Sequence, residues 1–318
     1  MCHRVGRSPG HVTILMVACR LDSFPGREPG WTLLTSTSRP MIKFGIYVDG
    51  SVLIGSLNKH ELKVEDFEAF YRYIFEEAAK AWGSSFLDRQ PPPGCHLHRV
   101  YWYQVAGIDR IDFADSKTQN HYRALFDAEE SLNRLYIALA GQHLKSGTRQ
   151  EIENEAFRIF FEEKREWYAS KASMLDAMRS FNHAIQAGCD FIEIISCGYW
   201  KVNLIGGQIM EKGLETAFAV DIAHGVNMVD VIVIIAGDYD AIPVVAYAKD
   251  HGRNVGIFDI HRGASTDAHP RLQSSRLHNL CDFVCPVYEA DLVVRKIATS
   301  QGRHGTAGGS GSSKNRPR

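Results

Sequence analysis

Long apolar runs, paired cysteine motifs and an excess of one charge are all missing from this chain. No stretch reaches the roughly 18 apolar residues that a membrane-spanning helix needs, so we expect no membrane insertion. The seven cysteines form no CxxC pair, which argues against a zinc site and favours a reducing, cytoplasmic setting. Because 36 basic residues face 37 acidic ones, a nucleic-acid partner would have to bind a local patch.

The two ends of the chain differ in composition from its middle. Residues 1–40 are irregular, and a strand-like run follows Met41 directly. We therefore expect Met41 to be the functional start and residues 1–40 to be a disordered or misassigned extension. Residues 300–318 are rich in glycine and serine with scattered basic residues, and we expect a disordered tail because they cannot bury a core.

Between these ends, short apolar runs alternate with segments of helical period. The apolar runs cover 42–48, 99–105, 190–195, 230–236, 254–258 and 283–287. The helical segments cover 64–82, 117–143, 150–186, 208–225, 241–251 and 271–280. This alternation predicts an α/β domain over 41–290, a three-layer sandwich with a mostly parallel sheet, and a charged helical insertion at about 110–170. The fourth run is apolar on both faces, which indicates a buried central strand.

Acidic residues follow two of the predicted strands directly. Asp49 follows the first run, and Asp238 and Asp240 follow the fourth. Ligands of open α/β sheets bind at the carboxyl ends of the strands, so these carboxylates converge if the two strands are neighbours. Carboxylates brought together stay ionised most easily with a cation between them, and oxygen ligands favour Mg²⁺ or Mn²⁺. The pattern therefore predicts metal-assisted phosphoryl hydrolysis.

Each acid also has a simpler explanation. Asp49 precedes a glycine and is also typical of a turn, while Asp240 is also placed to cap a helix beginning at Ala241. On one continuous helix over 208–225, Glu215 and Asp221 lie about 120° apart, with Glu215 nearer the crevice. Asp221 is then either a second ligand or the half-buried partner of a lysine or arginine.

Four blocks of the sequence, in this order, resemble the NYN domain, the LabA-like branch of the PIN-like nuclease superfamily. They are Ile46-Tyr47-Val48-Asp49-Gly50, Val100-Tyr101-Trp102-Tyr103, Lys212-Gly213-Leu214-Glu215 running on to Asp221, and Gly237-Asp238-Tyr239-Asp240 with Pro243 and the strand that ends at Phe258. The closing Ser275-x-Leu277 and Asp282-Phe283 also look like the last helix and strand of that family.

The resemblance implies a PIN-like fold with sheet order 3-2-1-4-5 and Mg²⁺- or Mn²⁺-dependent cleavage of RNA. It implies that the metal-binding and catalytic acids are Asp49, Glu215, Asp238 and Asp240, and Asp221 is added as a further catalytic candidate. Two positions depart from the family pattern. Apolar residues follow Ser51, where a small polar residue is common, and Glu215 stands where the family has aspartate.

An acidic nuclease centre needs cations at its rim, because phosphates supply most of the affinity for RNA. Lys212 and Arg262 are the leading candidates among a set that also contains Lys201, Lys249, Arg253 and His261. Ser51 is a further substrate-binding candidate. Tyr239, between two acids, is placed either to stack on a base or to pack.

The leading hypothesis is a metal-dependent ribonuclease acting on single-stranded or structured RNA. The alternative is a non-catalytic NYN-fold module, regulatory or binding RNA or protein, in which the helical insertion contacts a protein partner or a second copy. A phosphatase or nucleotide-binding α/β protein is a third hypothesis. It is disfavoured because no glycine-rich phosphate loop follows the first predicted strand.

The intact mass of the native protein tests the assignment of its start. We expect a chain that begins at Met41, because the strand-like run opens directly after it. A native species that begins at Met1 would contradict a misassigned start.

Overall fold

The computed structural model describes residues 41–87, 94–237, 240–264 and 276–301. Residues 1–40 and 302–318, most of the two segments for which disorder was expected, lie outside the described residues, as do Asp238 and Tyr239. Ser300, the first residue of the expected tail 300–318, is instead paired with Leu62 in a short strand. The described elements are β1 (Ile42–Asp49), α1 (Gly50–Lys59), β2 (Leu62–Val64), α2 (Phe67–Phe86), β3 (Cys95–Val105), α3 (Ser116–Ala128), α4 (Glu130–Leu144), α5 (Arg149–Gly188), β4 (Ile192–Cys197), β5 (Tyr199–Asn203), β6 (Gln208–Lys212), α6 (Leu214–Gly225), β7 (Val231–Ile235), α7 (Ile242–Asp250), β8 (Asn254–His261), α8 (Arg276–Leu280), β9 (Phe283–Tyr288), α9 (Glu289–Val294) and β10 (Ala298–Ser300).

Six parallel strands form the central sheet, in the order β4-β3-β1-β7-β8-β9. The expectation of an α/β fold with a mostly parallel sheet is confirmed. Counted along the chain within this sheet, the order is 3-2-1-4-5-6, which differs from the expected 3-2-1-4-5 because β9 adds a strand beyond β8. Strands β1 and β7 are neighbours, with Phe44 opposite Val231 and Val48 opposite Ile235. Their carboxyl ends therefore lie side by side.

Helices cover both faces of the sheet, which gives the three layers expected. Helices α1, α2 and α9 pack on one face around Phe70, Ile74 and Trp102. Helices α6, α7 and α8 and part of α5 pack on the other, around Tyr103 and Phe218. All five residues of β7 are buried, because a parallel strand in the middle of such a sheet is covered on both sides.

The segment 208–225 is not one helix, and this prediction was wrong in its first five residues. Residues 208–212 form β6, which pairs antiparallel with β5 in a hairpin. Gly213 then takes a left-handed backbone with φ of 87° and separates the strand from α6. Side chains larger than glycine rarely adopt this conformation, so Gly213 fixes the change from strand to helix.

The predicted helical insertion forms a small helical unit with its own core. Helices α3 and α4 pack against the first half of α5, and Phe126, Tyr136, Ala140, Ala156 and Phe160 are buried between them. Helix α5 has 40 residues, a length of about 60 Å, and its second half reaches the sheet. Within the described ranges, no helix combines the length and the apolar character needed to cross a bilayer.

The burial of Phe160 in the core of the insertion predicts how much this residue stabilises the helical unit. Phe160 is fully buried and stacks on Phe126 with ring centroids 4.9 Å apart, so Phe160→Ala should lower the free energy of unfolding of this unit by about 3–5 kcal/mol. Leu135, which is 56% exposed on α4, is the matched control, and Leu135→Ala should change stability by about 0.5 kcal/mol or less. Thermal melts with limited proteolysis across α3–α5 measure both. Equal losses in the two variants would contradict a separate core.

Candidate functional site

The carboxyl ends of the parallel strands share one edge of the sheet. Asp49 closes β1, Cys197 closes β4, and His261 closes β8. The hairpin of β5 and β6 follows β4 directly and is joined to the loop after β3 by a bridge between Ile108 and Trp200. This edge therefore carries the ends of the strands together with the hairpin and the start of α6.

Asp49 is the N-cap residue of α1, and its orientation is fixed by that role. Its Oδ1 accepts hydrogen bonds from the Ser51 backbone N at 2.9 Å, the Ser51 Oγ at 2.7 Å and the Val52 backbone N at 3.1 Å. A Cβ at Gly50 would lie 2.2 Å from Trp102 Nε1, so only glycine allows β1 to turn this tightly into α1. Ser51, a predicted substrate residue, donates to Asp49 and so helps to orient the carboxylate.

The hairpin brings two more acids to this edge. Glu211 lies near the end of β6, and Glu215 lies in the first turn of α6, where the helix dipole favours a negative charge. Gly198 allows the close approach behind them, since a Cβ there would lie 2.5 Å from the Lys212 carbonyl oxygen. Glu211 and Glu215 thus lie on the two sides of the Lys212-Gly213 junction.

The charges at this edge act on one another. Burial raises the pKa of the Glu211 carboxyl above its ordinary value, and the charges of Asp49 and Glu215 raise it further, against a hydrogen bond from Trp200 that lowers it. Burial and, after it, neighbouring negative charges raise the pKa of the Cys197 thiol to about 11. The acids acting on this one thiol, which we call the acid cluster, are Asp49, Glu211, Glu215 and Asp221.

Asp221 differs from the other members of the acid cluster, because it contacts the tyrosines under α6. The Tyr103 hydroxyl donates a hydrogen bond to Asp221 Oδ2 at 3.0 Å. The pKa of Tyr103 is raised by burial first and then by the Asp221 charge. The expected lysine or arginine partner of Asp221 is thus replaced by a tyrosine hydroxyl, which faces α6 from β3.

The predicted residues after β7 are only partly described. Asp238 and Tyr239 lie outside the described residues, so their predicted roles are untested. Asp240 is exposed and does not act as the predicted cap. The N-cap residue of α7 is Ala241, which makes no side-chain capping bond, and the helix begins one residue later than expected, with Pro243 in its first turn.

Two of the predicted rim cations lie at the opposite edge of the sheet. Lys249 pairs with Asp282 at 2.8 Å, and Arg253 pairs with Asp230 at 3.3 Å. Both aspartates precede a strand and so lie at its amino end, which places these two cations away from the predicted rim. The other candidates lie near the carboxyl edge: Lys212 and Lys201 are exposed on the hairpin, His261 is the last residue of β8, and Arg262 follows it.

The acid cluster offers carboxylate oxygens, which fit a hard divalent ion better than zinc. Among the residues that the structure describes, no three Asp, Glu, His or Cys side chains are arranged to hold a metal ion. The charges of the acid cluster therefore act on one another without forming a metal-holding arrangement. Asp238, a further predicted ligand, lies outside the described residues.

Glu211 is the site residue that the sequence reasoning missed. Read as part of one helix, Glu211 and Glu215 are four residues apart and share a face, but Glu211 was not singled out as a candidate. The available signal was Gly213, which is typical of a break between two elements. With that break, Glu211 lies four residues before Glu215 across a turn.

Comparisons with known proteins place the chain in no family. No protein-family model matches it, and no curated protein matches it. One solved structure, a protein of unknown function, VPA0982 from Vibrio parahaemolyticus, is similar at 12% identity with a TM-score of 0.37, over 77% of this chain and 93% of that one. This identity and this TM-score support no conclusion about the fold or the function of the chain.

The raised pKa of Glu211 predicts a pH-dependent gain in stability when its charge is removed. A raised pKa means that the folded state binds the proton more tightly, so stability is lost as pH rises through the folded-state pKa. In EDTA near pH 7, Glu211→Gln should melt at a higher temperature than wild type, and the gain should vanish below the ordinary glutamate pKa.

Glu166→Gln, on an exposed face of α5, is the matched control and should show no such pH-dependent gain. Melting curves of the three proteins at several pH values measure the effect. Identical pH profiles for wild type and Glu211→Gln would show that Glu211 does not experience the neighbouring charges.

Proposed function

We propose that this protein is a divalent-metal-dependent ribonuclease with an NYN, PIN-like fold, and that the acid cluster is its catalytic centre. The observation that carries the proposal is that the charges of Asp49, Glu211, Glu215 and Asp221 all act on the Cys197 thiol at the carboxyl edge of the sheet. Ligands of open α/β sheets bind at this edge. The adjacency of β1 and β7 and the four sequence blocks support the PIN-like assignment.

The acid cluster fits Mg²⁺ or Mn²⁺ by the chemistry of its donors. Asp49, Glu211 and Glu215 would hold the ion, with Asp238 and Asp240 as the predicted ligands from the loop after β7. Bound there, the ion would lower the pKa of a water molecule and balance the charge of a phosphodiester. The raised pKa of Glu211 supports this, because clustered carboxylates ionise at a cost that a cation offsets.

Neighbouring residues hold the carboxylates of the acid cluster in fixed orientations. Ser51 and the first backbone N–H groups of α1 fix Oδ1 of Asp49, so the carboxylate cannot rotate freely. The Tyr103 hydroxyl holds Asp221 at the back of the acid cluster, which makes Asp221 a positioning residue in this proposal. Exposed Lys212, next to Glu211, is placed to contact an RNA phosphate.

Cleavage of single-stranded RNA in Mn²⁺ tests the proposal. Asp49→Asn should lower the rate by roughly 100-fold or more, because it removes a charge that acts in the transition state. The asparagine Oδ1 still accepts the capping bonds of α1, so the fold should persist. Glu215→Gln and Asp238→Asn should show comparable losses, and the exposed Glu166→Gln should cleave like wild type.

Two outcomes would contradict the proposal. Equal cleavage by Asp49→Asn and wild type would show that the acid cluster is not the catalytic centre. Absence of cleavage by wild type and all variants, with RNA or protein binding retained, would favour the non-catalytic NYN-fold module, a reading that the lack of a metal-holding arrangement among the described residues also favours.

A further inference from the structure

The hairpin of β5 and β6 has one covered face and one exposed face. Its register pairs Trp200 with Glu211 and Val202 with Ile209, and these four side chains are buried or half-buried. Residues directly opposite each other in an antiparallel pair point to the same side, so the remaining three pairs share the other face. All members of these pairs are exposed, and we call the surface they form the hairpin face: Tyr199, Lys201, Asn203, Gln208, Met210 and Lys212.

The covered side of the hairpin is fixed to the rest of the protein. Trp200 is buried in the same core as the residues under α6. Beyond the end of β5, Leu204 is buried and Ile205 packs against the core of the helical insertion. The Val202 backbone N donates a hydrogen bond to Asp109 Oδ2 at 3.0 Å. The hairpin face is therefore presented on a strand pair that is held at its middle and at its turn.

The charge of the hairpin face has one sign. Lys201 and Lys212 are its only charged members, and it contains no acid. Among the described residues, neither ammonium group takes part in an ion pair. The charges that act on Glu211, the neighbour of Lys212 in β6, are those of Asp49 and Glu215, because the Lys212 side chain points to the opposite side of the strand. Both lysines are thus available to an anion.

Two large apolar side chains lie next to these lysines. Tyr199 is 45% exposed and lies opposite Lys212, and Met210 is 43% exposed and lies opposite Lys201. The Cβ atoms of such opposite pairs are about 4.5–5.5 Å apart. An exposed aromatic ring among cations is the combination that holds single-stranded nucleic acid, since bases stack on the ring and phosphates contact the cations.

The lysines favour a polyanion over a protein as the occupant of this face. Tyrosine and methionine are enriched in protein–protein interfaces, but lysine is depleted there. A partner protein would have to cover two ammonium groups that have no acid beside them on the hairpin face. A phosphate chain complements both charges and leaves them partly solvated.

We propose that the hairpin face binds single-stranded RNA, with a base stacked on Tyr199 and phosphates at Lys201 and Lys212. This inference rests on the proposed function, whose substrate the hairpin positions. Lys212 is next to Glu211, so RNA on this face leads directly to the acid cluster. The face extends about 13 Å along β5 from Tyr199 to Asn203, at about 3.3 Å per residue. The hairpin face orients the strand and takes no part in bond cleavage.

Equilibrium binding in EDTA tests the hairpin face without metal-dependent cleavage. The probe is a fluorescein-labelled single-stranded RNA of about 12 nucleotides. Tyr199→Ala should weaken binding roughly 10-fold, because the stacked base loses its platform, and Tyr199→Phe should bind like wild type. Lys201→Gln and Lys212→Gln should each lower the slope of log affinity against log salt by about 0.7.

Matched controls lie elsewhere on the surface. Tyr247 is 42% exposed on α7, close to the exposure of Tyr199, and Tyr247→Ala should leave RNA affinity unchanged. Lys80 is exposed on α2, and Lys80→Gln should leave the salt slope unchanged. A labelled abasic strand of the same length carries the phosphates without bases. Its binding should weaken in the two lysine variants and stay the same in Tyr199→Ala.

The outcomes separate this inference from the proposed function. RNA affinity and salt slopes like those of the controls in all hairpin variants would overturn the hairpin assignment, even where Asp49→Asn abolishes cleavage. Equal losses on RNA and on the abasic strand in Tyr199→Ala would overturn the stacking role. Hairpin variants that bind RNA normally but lose self-association in sedimentation would assign the face to a second copy of the chain and overturn the proposal. Hairpin-dependent RNA binding without cleavage by wild type would support the hairpin face and overturn the ribonuclease.

Discussion

Mutual repulsion of carboxylates at the carboxyl edge of the sheet is the constraint on which the functional interpretation depends. The fold forces these groups together. The capping bonds hold Asp49, the hairpin half-buries Glu211, and the Cys197 thiol is affected by both charges. Glu211 and Cys197 would ionise more easily if the acids were apart. A bound cation would offset this repulsion, and its attraction to the carboxylates would contribute to its binding energy.

The carboxyl edge carries two groups of polar residues. Acids lie beside β1, β4 and the hairpin, and a cavity beyond β7 is lined by Lys59, Arg262 and three histidines together with Asp259. Helix α1 joins the two, because its first turn fixes Asp49 and its last turn carries Lys59. Gly50, which lies against Trp102, is needed for this direct change from strand to helix. One short helix therefore sets the spacing between the acid cluster and this cavity.

The sequence predicted those elements whose residue pattern depends on the element alone. The apolar runs predict all six strands of the central sheet, and the fully apolar run predicts the buried strand β7. Prediction failed where a distant partner decides the outcome. Nothing near Lys249 or Arg253 in the sequence reveals their aspartate partners at the amino edge. The segment 208–225 was predicted as one helix, although Gly213 is typical of a break between two elements, and Glu211 was not singled out. The NYN assignment stays a prediction.

Calorimetric titration with Mn²⁺ near neutral pH tests the central claim most directly. The account predicts saturable binding to the wild-type protein, because a cation offsets the repulsion that raises the pKa of Glu211. Binding should weaken in Glu211→Gln, which lacks one of the carboxylates. Titration without saturable heat for Mn²⁺ or Mg²⁺ would contradict the account, since the carboxylates would then be gathered without binding a cation.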